Sequence, residues 1–175
     1  MLKTRQRILG IDPGSRSTGY GIIDSDGFRH CYIDSGFIAV SGDDFPQRLS
    51  NIFSQLSQVI ARCQPQCAGI EQVFVNKNID SALKLGQARG AAICAAAQAG
   101  LAIGEYTPRA IKKAVVGHGG ADKQQIQQMM KILLKLDFLP QSDEADALAI
   151  AVCHANHMPL KRAGIATRVR GGRWR

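Results

Sequence analysis

The sequence predicts an α/β fold, a mixed five-stranded sheet flanked by helices on both faces. Three observations predict it. The N-terminal segment through Val40 alternates short apolar, β-branched runs with tight-turn signals. Two further apolar runs follow, separated by stretches of helical periodicity. Beyond them the chain is helical only. Hairpins followed by strand–helix–strand units give an antiparallel meander extended by parallel neighbours.

Taken in order, Arg7 to Ile11 is the first strand, and Asp12-Pro13-Gly14-Ser15 is a turn. Thr18 to Ile23 is the second strand, Asp24 to Gly27 a second turn, and Cys31 to Val40 a third strand with partial alternation. Leu49, Ile52, Phe53, Leu56, Val59, Ile60 and Cys63 fall on one helical stripe, with Pro65 just beyond its end. Cys67 to Val73 reads as a short buried strand. Ser81 to Gln98 is an Ala-rich helix whose small residues allow close packing, stopped by Gly100. Leu101 to Tyr106 is the fifth strand. Three helices follow, Arg109 to Val116, Lys123 to Leu136 and Ser142 to His157, with Asp122 as an N-cap. The reading divides the chain into one folded domain, 1–158, and a basic, disordered tail, 159–175.

Composition narrows the function. The chain has 175 residues, 45% hydrophobic and 21% charged, an ordinary globular balance that suits one domain. No apolar run approaches the roughly 18 residues a membrane span needs. The basic start, Met1 to Gln6, lacks the apolar core of a signal peptide. Five irregularly spaced cysteines without an export signal read as reduced thiols of a cytoplasmic protein. The net charge is +8, and Lys161, Arg162, Arg168, Arg170, Arg173 and Arg175 all lie after the last acid, Asp146. A basic tail suits nucleic acid or another polyanion.

The acids carry the chemistry. Asp12 ends the apolar run Ile-Leu-Gly-Ile, and Glu71 follows Ala-Gly-Ile in another. If those strands are neighbours, the two carboxylates emerge together. Asp143 and Asp146 are three apart and share one face of an otherwise apolar helix, whose first turn then reaches the strand acids. Each alone has a plainer reading as a turn former, a strand end or a first-turn acid favoured by the helix dipole. Together they would raise one another's pKa unless a cation sat between them. Oxygen ligands without histidine suit Mg²⁺, or Mn²⁺ as substitute, and not zinc. Two such ions about 4 Å apart can activate a water and stabilise the leaving oxygen of a phosphodiester.

These residues sit in longer motifs: Gly-Ile-Asp-Pro-Gly-Ser (Gly10 to Ser15) with Thr18-Gly19-Tyr20-Gly21, Ile-Glu-Gln-Val-Phe (Ile70 to Phe74), Ser-Ala-Leu-Lys-Leu-Gly-Gln-Ala-Arg-Gly (Ser81 to Gly90), Lys-Lys-Ala-Val-Val-Gly (Lys112 to Gly117) and Asp-Glu-Ala-Asp-Ala-Leu-Ala (Asp143 to Ala149). In this order and spacing, from Ile8 to His154, the chain closely resembles the bacterial RuvC family of Holliday junction resolvases, which have the RNase H-like fold. The resemblance implies that Asp12, Glu71, Asp143 and Asp146 are the catalytic acids and hold two Mg²⁺ ions per subunit. Some members carry histidine at the last position, where this chain keeps Asp146. It further implies a homodimer that makes two symmetric nicks in a four-way DNA junction, leaving 5′-phosphate and 3′-hydroxyl ends. RuvA and RuvB are the implied partners, in recombination and DNA repair.

DNA contacts are assigned to Phe74, Lys77, Lys84, Arg89, Lys112 and Lys123. Phe74 lies three residues after Glu71, where an aromatic side chain can stack on unpaired bases, although a core position is its plainer reading. The lysines and the arginine suit phosphate, with solvated faces as the alternative. The resemblance favours Lys112 and Lys123 beside the scissile phosphate. The Ala-rich helix, or the helix beside it, is expected at the dimer interface. Gly14 to Gly19 has a phosphate-loop look, but Tyr20-Gly21 stands where Lys-Ser/Thr is required. Cys63, Cys67, Cys153, His154 and His157 form no coherent zinc set and read as buried thiols and exposed imidazoles. Two other functions stay open, a nuclease acting on RNA or RNA–DNA hybrid and a non-catalytic junction-binding protein.

Overall fold

The computed structural model describes residues 5–14, 16–39, 44–73 and 79–162, with side chains through Met158. Five strands form one sheet in the order β3-β2-β1-β4-β5. They are β1 (Gln6–Asp12), β2 (Ser17–Ser25), β3 (His30–Ala39), β4 (Cys67–Glu71) and β5 (Ala102–Tyr106). β1–β2 and β2–β3 are antiparallel, and β1–β4 and β4–β5 are parallel. The expected mixed sheet is therefore present, and strand existence and order match the reading to within a few residues at each end.

Alternation along the strands sorts two cores. Leu9, Ile11, Ile22, Ala68 and Ile70 face α1 (Phe45–Cys63) and α2 (Ile79–Gln98). Ile8, Ile23 and Cys67 face α3 (Pro108–Val116), α4 (Lys123–Leu133) and α5 (Ser142–Arg162). The helix ends follow local chemistry. Asp44, Thr107 and Asp122 cap α1, α3 and α4 through side-chain oxygens, and Asp122 and Gln125 form a reciprocal capping box.

Two helix ends differ from expectation. α4 stops at Leu133 instead of Leu136, because Lys135 takes a left-handed conformation (φ 54°) and Leu136 N–H closes on the Lys131 carbonyl. Leu134 and Leu136 are still buried, so their apolar spacing extends past the helix that generated it. α5 runs through Pro159 to Arg162, so residues 159–162, assigned from sequence to the tail, are helical. Residues 163–175 lie outside the described residues.

α5 lies directly on the sheet because the sheet offers it a row of glycines. Gly21 pairs with Gly10, Gly10 with Gly69, and Gly69 with Gly104, one glycine in each of four adjacent strands. A Cβ on Gly10 would overlap the Ala147 carbonyl oxygen and lie 2.7 Å from Ala151 N. One on Gly21 would lie 2.7 Å from Leu148 N, and one on Gly69 3.1 Å from the His154 Cβ. The helix answers with fully buried Ala145, Ala147, Ala149, Ala151 and Ala155. Backbone thus meets backbone, where larger side chains would hold a helix about 10 Å from a sheet. A Gly10→Ala variant is expected to lose about 2–3 kcal/mol of unfolding free energy, read by urea denaturation, because neither backbone can yield without shifting α5.

Candidate active site

The glycine row sets the position of the acids. Asp12 lies two residues after Gly10, Glu71 two after Gly69, and Tyr106 two after Gly104. A period of two places all three side chains on the α5 face, at the C-terminal ends of parallel strands. Gly19, paired with Asp12, closes the arrangement: a Cβ there would overlap the Asp143 carbonyl oxygen. The first turns of α5 therefore bring Asp143 and Asp146 over the strand ends.

Their electrostatics show how close they are. Burial, with the charges of Glu71, Asp146 and Asp143, pushes the Asp12 carboxyl up to about 8. Asp12 and Glu71 also interact through a hydrogen bond that raises the one and lowers the other, so the pair shares a proton. Burial raises Glu71, helped by Asp146 and opposed by that bond and by Lys112 and Lys123. Burial raises Asp146 as well, against the pull of Lys123 and Lys112. A cleft of about 310 Å³ collects Asp12, Glu71 and Asp146 with Lys112 and Lys123, walled by Pro108, Ile111, Ile126 and Ile150. Asp143 turns aside to accept a hydrogen bond from Ser17 Oγ at the start of β2. A larger groove, about 880 Å³, lies at the other end of the sheet beside His30 and Leu136, away from the acids.

The remaining expectations divide. Lys84 is exposed on α2, on the sheet face opposite the cleft. Arg89, also on α2, donates Nε–H to the Glu71 carbonyl (3.0 Å) and pairs through Nη2 with Glu105 (2.5 Å). Phe74 and Lys77 lie outside the described residues. His154 is buried, not exposed as the sequence suggests, because its imidazole packs over Gly104 and pairs with the Tyr106 hydroxyl at 3.0 Å. Sequence reasoning missed Ser17 and Glu105. Ser17 was findable, since Ser17, Gly19 and Gly21 alternate onto one face of β2. Glu105 carried no signal, because its partner comes from a separate helix.

Among the described residues, no three acidic, histidine or cysteine side chains close around one point as a finished metal shell. Asp12 and Glu71 are bonded to each other, and Asp143 to Ser17. The donor set nevertheless fits a hard divalent cation: it is all oxygen, largely buried, and short enough of positive charge that burial and neighbouring carboxylates hold Asp12 well above its ordinary range.

A pH prediction follows for the metal-free protein. Asp12 is raised from 3.8 to about 8, so the folded state binds more protons than the unfolded state between those values. Stability is then full below pH 4 with respect to this group and is lost as pH rises toward 8, by an amount on the order of a few kcal/mol. Melting in EDTA across pH 5 to 8 should show that decline. Mg²⁺ should reverse it, and Asp12→Asn should flatten it.

The comparisons with known proteins identify the family of the whole chain. Residues 8–154 match the family model described as crossover junction endodeoxyribonuclease RuvC. The curated protein of that name from Marinobacter nauticus is 55% identical over 170 residues, 96% of this chain and 97% of that one. The one from Aliivibrio fischeri strain MJ11 is 54% identical over 96% of this chain and 98% of its own. Among solved structures, Thermus thermophilus RuvC superposes with a TM-score of 0.78 at 31% identity, covering 90% of this chain and 96% of that one. T. thermophilus RuvC in complex with Holliday junction substrate gives 0.78 at 28% identity, covering 88% and 96%. With a sequence and an overall fold that match over nearly its whole length, the chain belongs to the crossover junction endodeoxyribonuclease RuvC family.

Proposed function

We propose that this protein is a divalent-metal-dependent endonuclease that resolves four-way DNA junctions. The observation that carries the reading is the convergence of carboxylates from β1, β4 and α5 in one cleft opposite Lys112 and Lys123. Asp12, Glu71, Asp143 and Asp146 would hold two Mg²⁺ ions, with Mn²⁺ as substitute. When bound, such ions supply a water nucleophile at neutral pH and stabilise the oxygen that leaves phosphorus. The chain's own residues do the rest. On binding a cation, the Asp12–Glu71 pair would release its shared proton to solvent, and both carboxylates would serve as anionic ligands. Lys112 and Lys123 set positive charge where the phosphate gains negative charge. Pro108, Ile111, Ile126 and Ile150 wall the cleft and strengthen each of those interactions by excluding water.

The substrate follows from the family and from the junction carried by the T. thermophilus protein. Each chain has one such cleft, and resolving a junction takes two nicks, so a two-fold homodimer is the assembly that fits. α2 supports that assembly: Ile79 (69% exposed), Leu83 (59% exposed), Gly86 and Gly90 form one helical stripe, and nothing lies within 4 Å of a Cβ added at either glycine. Phe74 would stack on unpaired bases and Lys77 would meet phosphate flanking the cut, while Lys84, on the opposite sheet face, would meet the junction backbone away from it. The products would be 5′-phosphate and 3′-hydroxyl ends, made in the cytoplasm during recombinational repair with RuvA and RuvB. Among the described residues no helix is long and apolar enough to cross a membrane.

Incubation with a synthetic four-way DNA junction, with and without Mg²⁺, beside linear duplex and RNA–DNA hybrid, tests this reading. Paired symmetric nicks in the junction alone are expected, only with the metal. Asp12→Asn should reduce cutting by about 10³-fold or more while junction binding persists. Lys123→Ala should cost about 10²-fold in cutting. Preferential cutting of the hybrid, or a normal rate for Asp12→Asn, would overturn it.

A further inference from the structure

We propose that Arg89 is a positioning residue for the Glu71 end of the active site, held in place by Glu105, and not a contact for DNA. This rests on the reading of Glu71 as a metal-holding carboxylate and adds a second layer behind it.

The geometry is specific. Glu71 is the last residue of β4, and its partner in β5 is Tyr106. The pairing of β1 with β4 extends only to Ile11 and Ile70. β4 ends at Glu71, and just past it Gln72 N–H bonds the Tyr106 carbonyl at 2.8 Å. The peptide carrying the Glu71 carboxylate thus sits where sheet pairing runs out. Arg89 reaches that point from α2, on the other face of the sheet, with Nε–H on the Glu71 carbonyl (3.0 Å) and Nη2 on Glu105 (2.5 Å). One guanidinium therefore ties α2, β4 and β5 together at the strand ends. A planar fork makes both contacts at once, which a lysine ammonium on a flexible stem does not reproduce.

Charge and exposure separate this role from phosphate binding. Arg89 is 20% exposed and two of its nitrogens are committed, whereas Glu105 is 50% exposed. A half-exposed carboxylate beside a phosphate contact would repel DNA. A pair this exposed also adds little to stability, so its measurable effect falls on placement. Misplacing a reacting group by about 1 Å can cost about 10²-fold in rate.

The experiment measures single-turnover junction cutting in Mg²⁺ and junction affinity in Ca²⁺ across a salt series. The variants are Arg89→Ala, Arg89→Lys, Glu105→Gln and the double variant Arg89→Ala/Glu105→Gln, with Glu71→Gln as control. Arg89→Ala should cut about 10- to 100-fold more slowly, with affinity within about twofold and an unchanged salt slope. Arg89→Lys should fail to restore cutting. Glu105→Gln should cut more slowly at unchanged affinity, and the double variant should be no worse than Arg89→Ala. Weaker junction binding by Arg89→Ala with a salt slope lower by about one, tighter binding by Glu105→Gln, or normal cutting by both would overturn the proposal. If Arg89→Ala does not fold, Glu105→Gln, which keeps the guanidinium, decides alone. Normal cutting by Glu71→Gln would instead sink the reading of the site itself, whatever the other variants do.

Discussion

Close approach of one helix to one sheet is the constraint on which the rest of this structure depends. α5 seats on Gly21, Gly10, Gly69 and Gly104, paired side by side across four strands. Because each of the last three lies two residues before a strand-end side chain, the same geometry that admits the helix points Asp12, Glu71 and Tyr106 at it. Packing and chemistry are therefore one arrangement. A sheet with alanine at those positions would hold the same elements further apart, and the acids of α5 would no longer share a cleft with those of the strands.

The arrangement works against itself until a cation arrives. Asp12, Glu71 and Asp146 share the cleft with Lys112 and Lys123, and Asp143 adds its charge from beside it. Burial and mutual repulsion hold Asp12 up to about 8, and the cluster relieves itself by retaining a proton between Asp12 and Glu71. The Ser17 hydroxyl relieves it again by taking Asp143. A functional site that carries such internal conflict is set in a rigid frame, and here the frame is the buried, alanine-rich body of α5.

Much of this was legible in the sequence. Turn chemistry and apolar periodicity are local, so the succession of strands and helices along the chain and the α1 stripe could be read directly. The four acids stood out as a set: each alone has an ordinary explanation, but four carboxylates brought to one end of the sheet do not. The glycine row was not seen, because each glycine looks like a local weakness in its strand and only register reveals the four as neighbours. Arg89 reads from the sequence as a phosphate contact for the same reason, since Glu105 and the Glu71 carbonyl lie on other elements. The end of α4 was missed because Leu134 and Leu136 keep the helical spacing after the backbone has turned. Local signals were readable, and long-range coincidences of position were not.

The most direct test is anomalous X-ray scattering from crystals of the protein soaked in Mn²⁺. Peaks inside the cleft, within coordinating reach of Asp12, Glu71 and Asp146, with Asp143 released from Ser17 to join them, are the predicted result. Saturating Mn²⁺ that leaves the cleft empty, with the Asp12–Glu71 hydrogen bond still closed, would contradict the account.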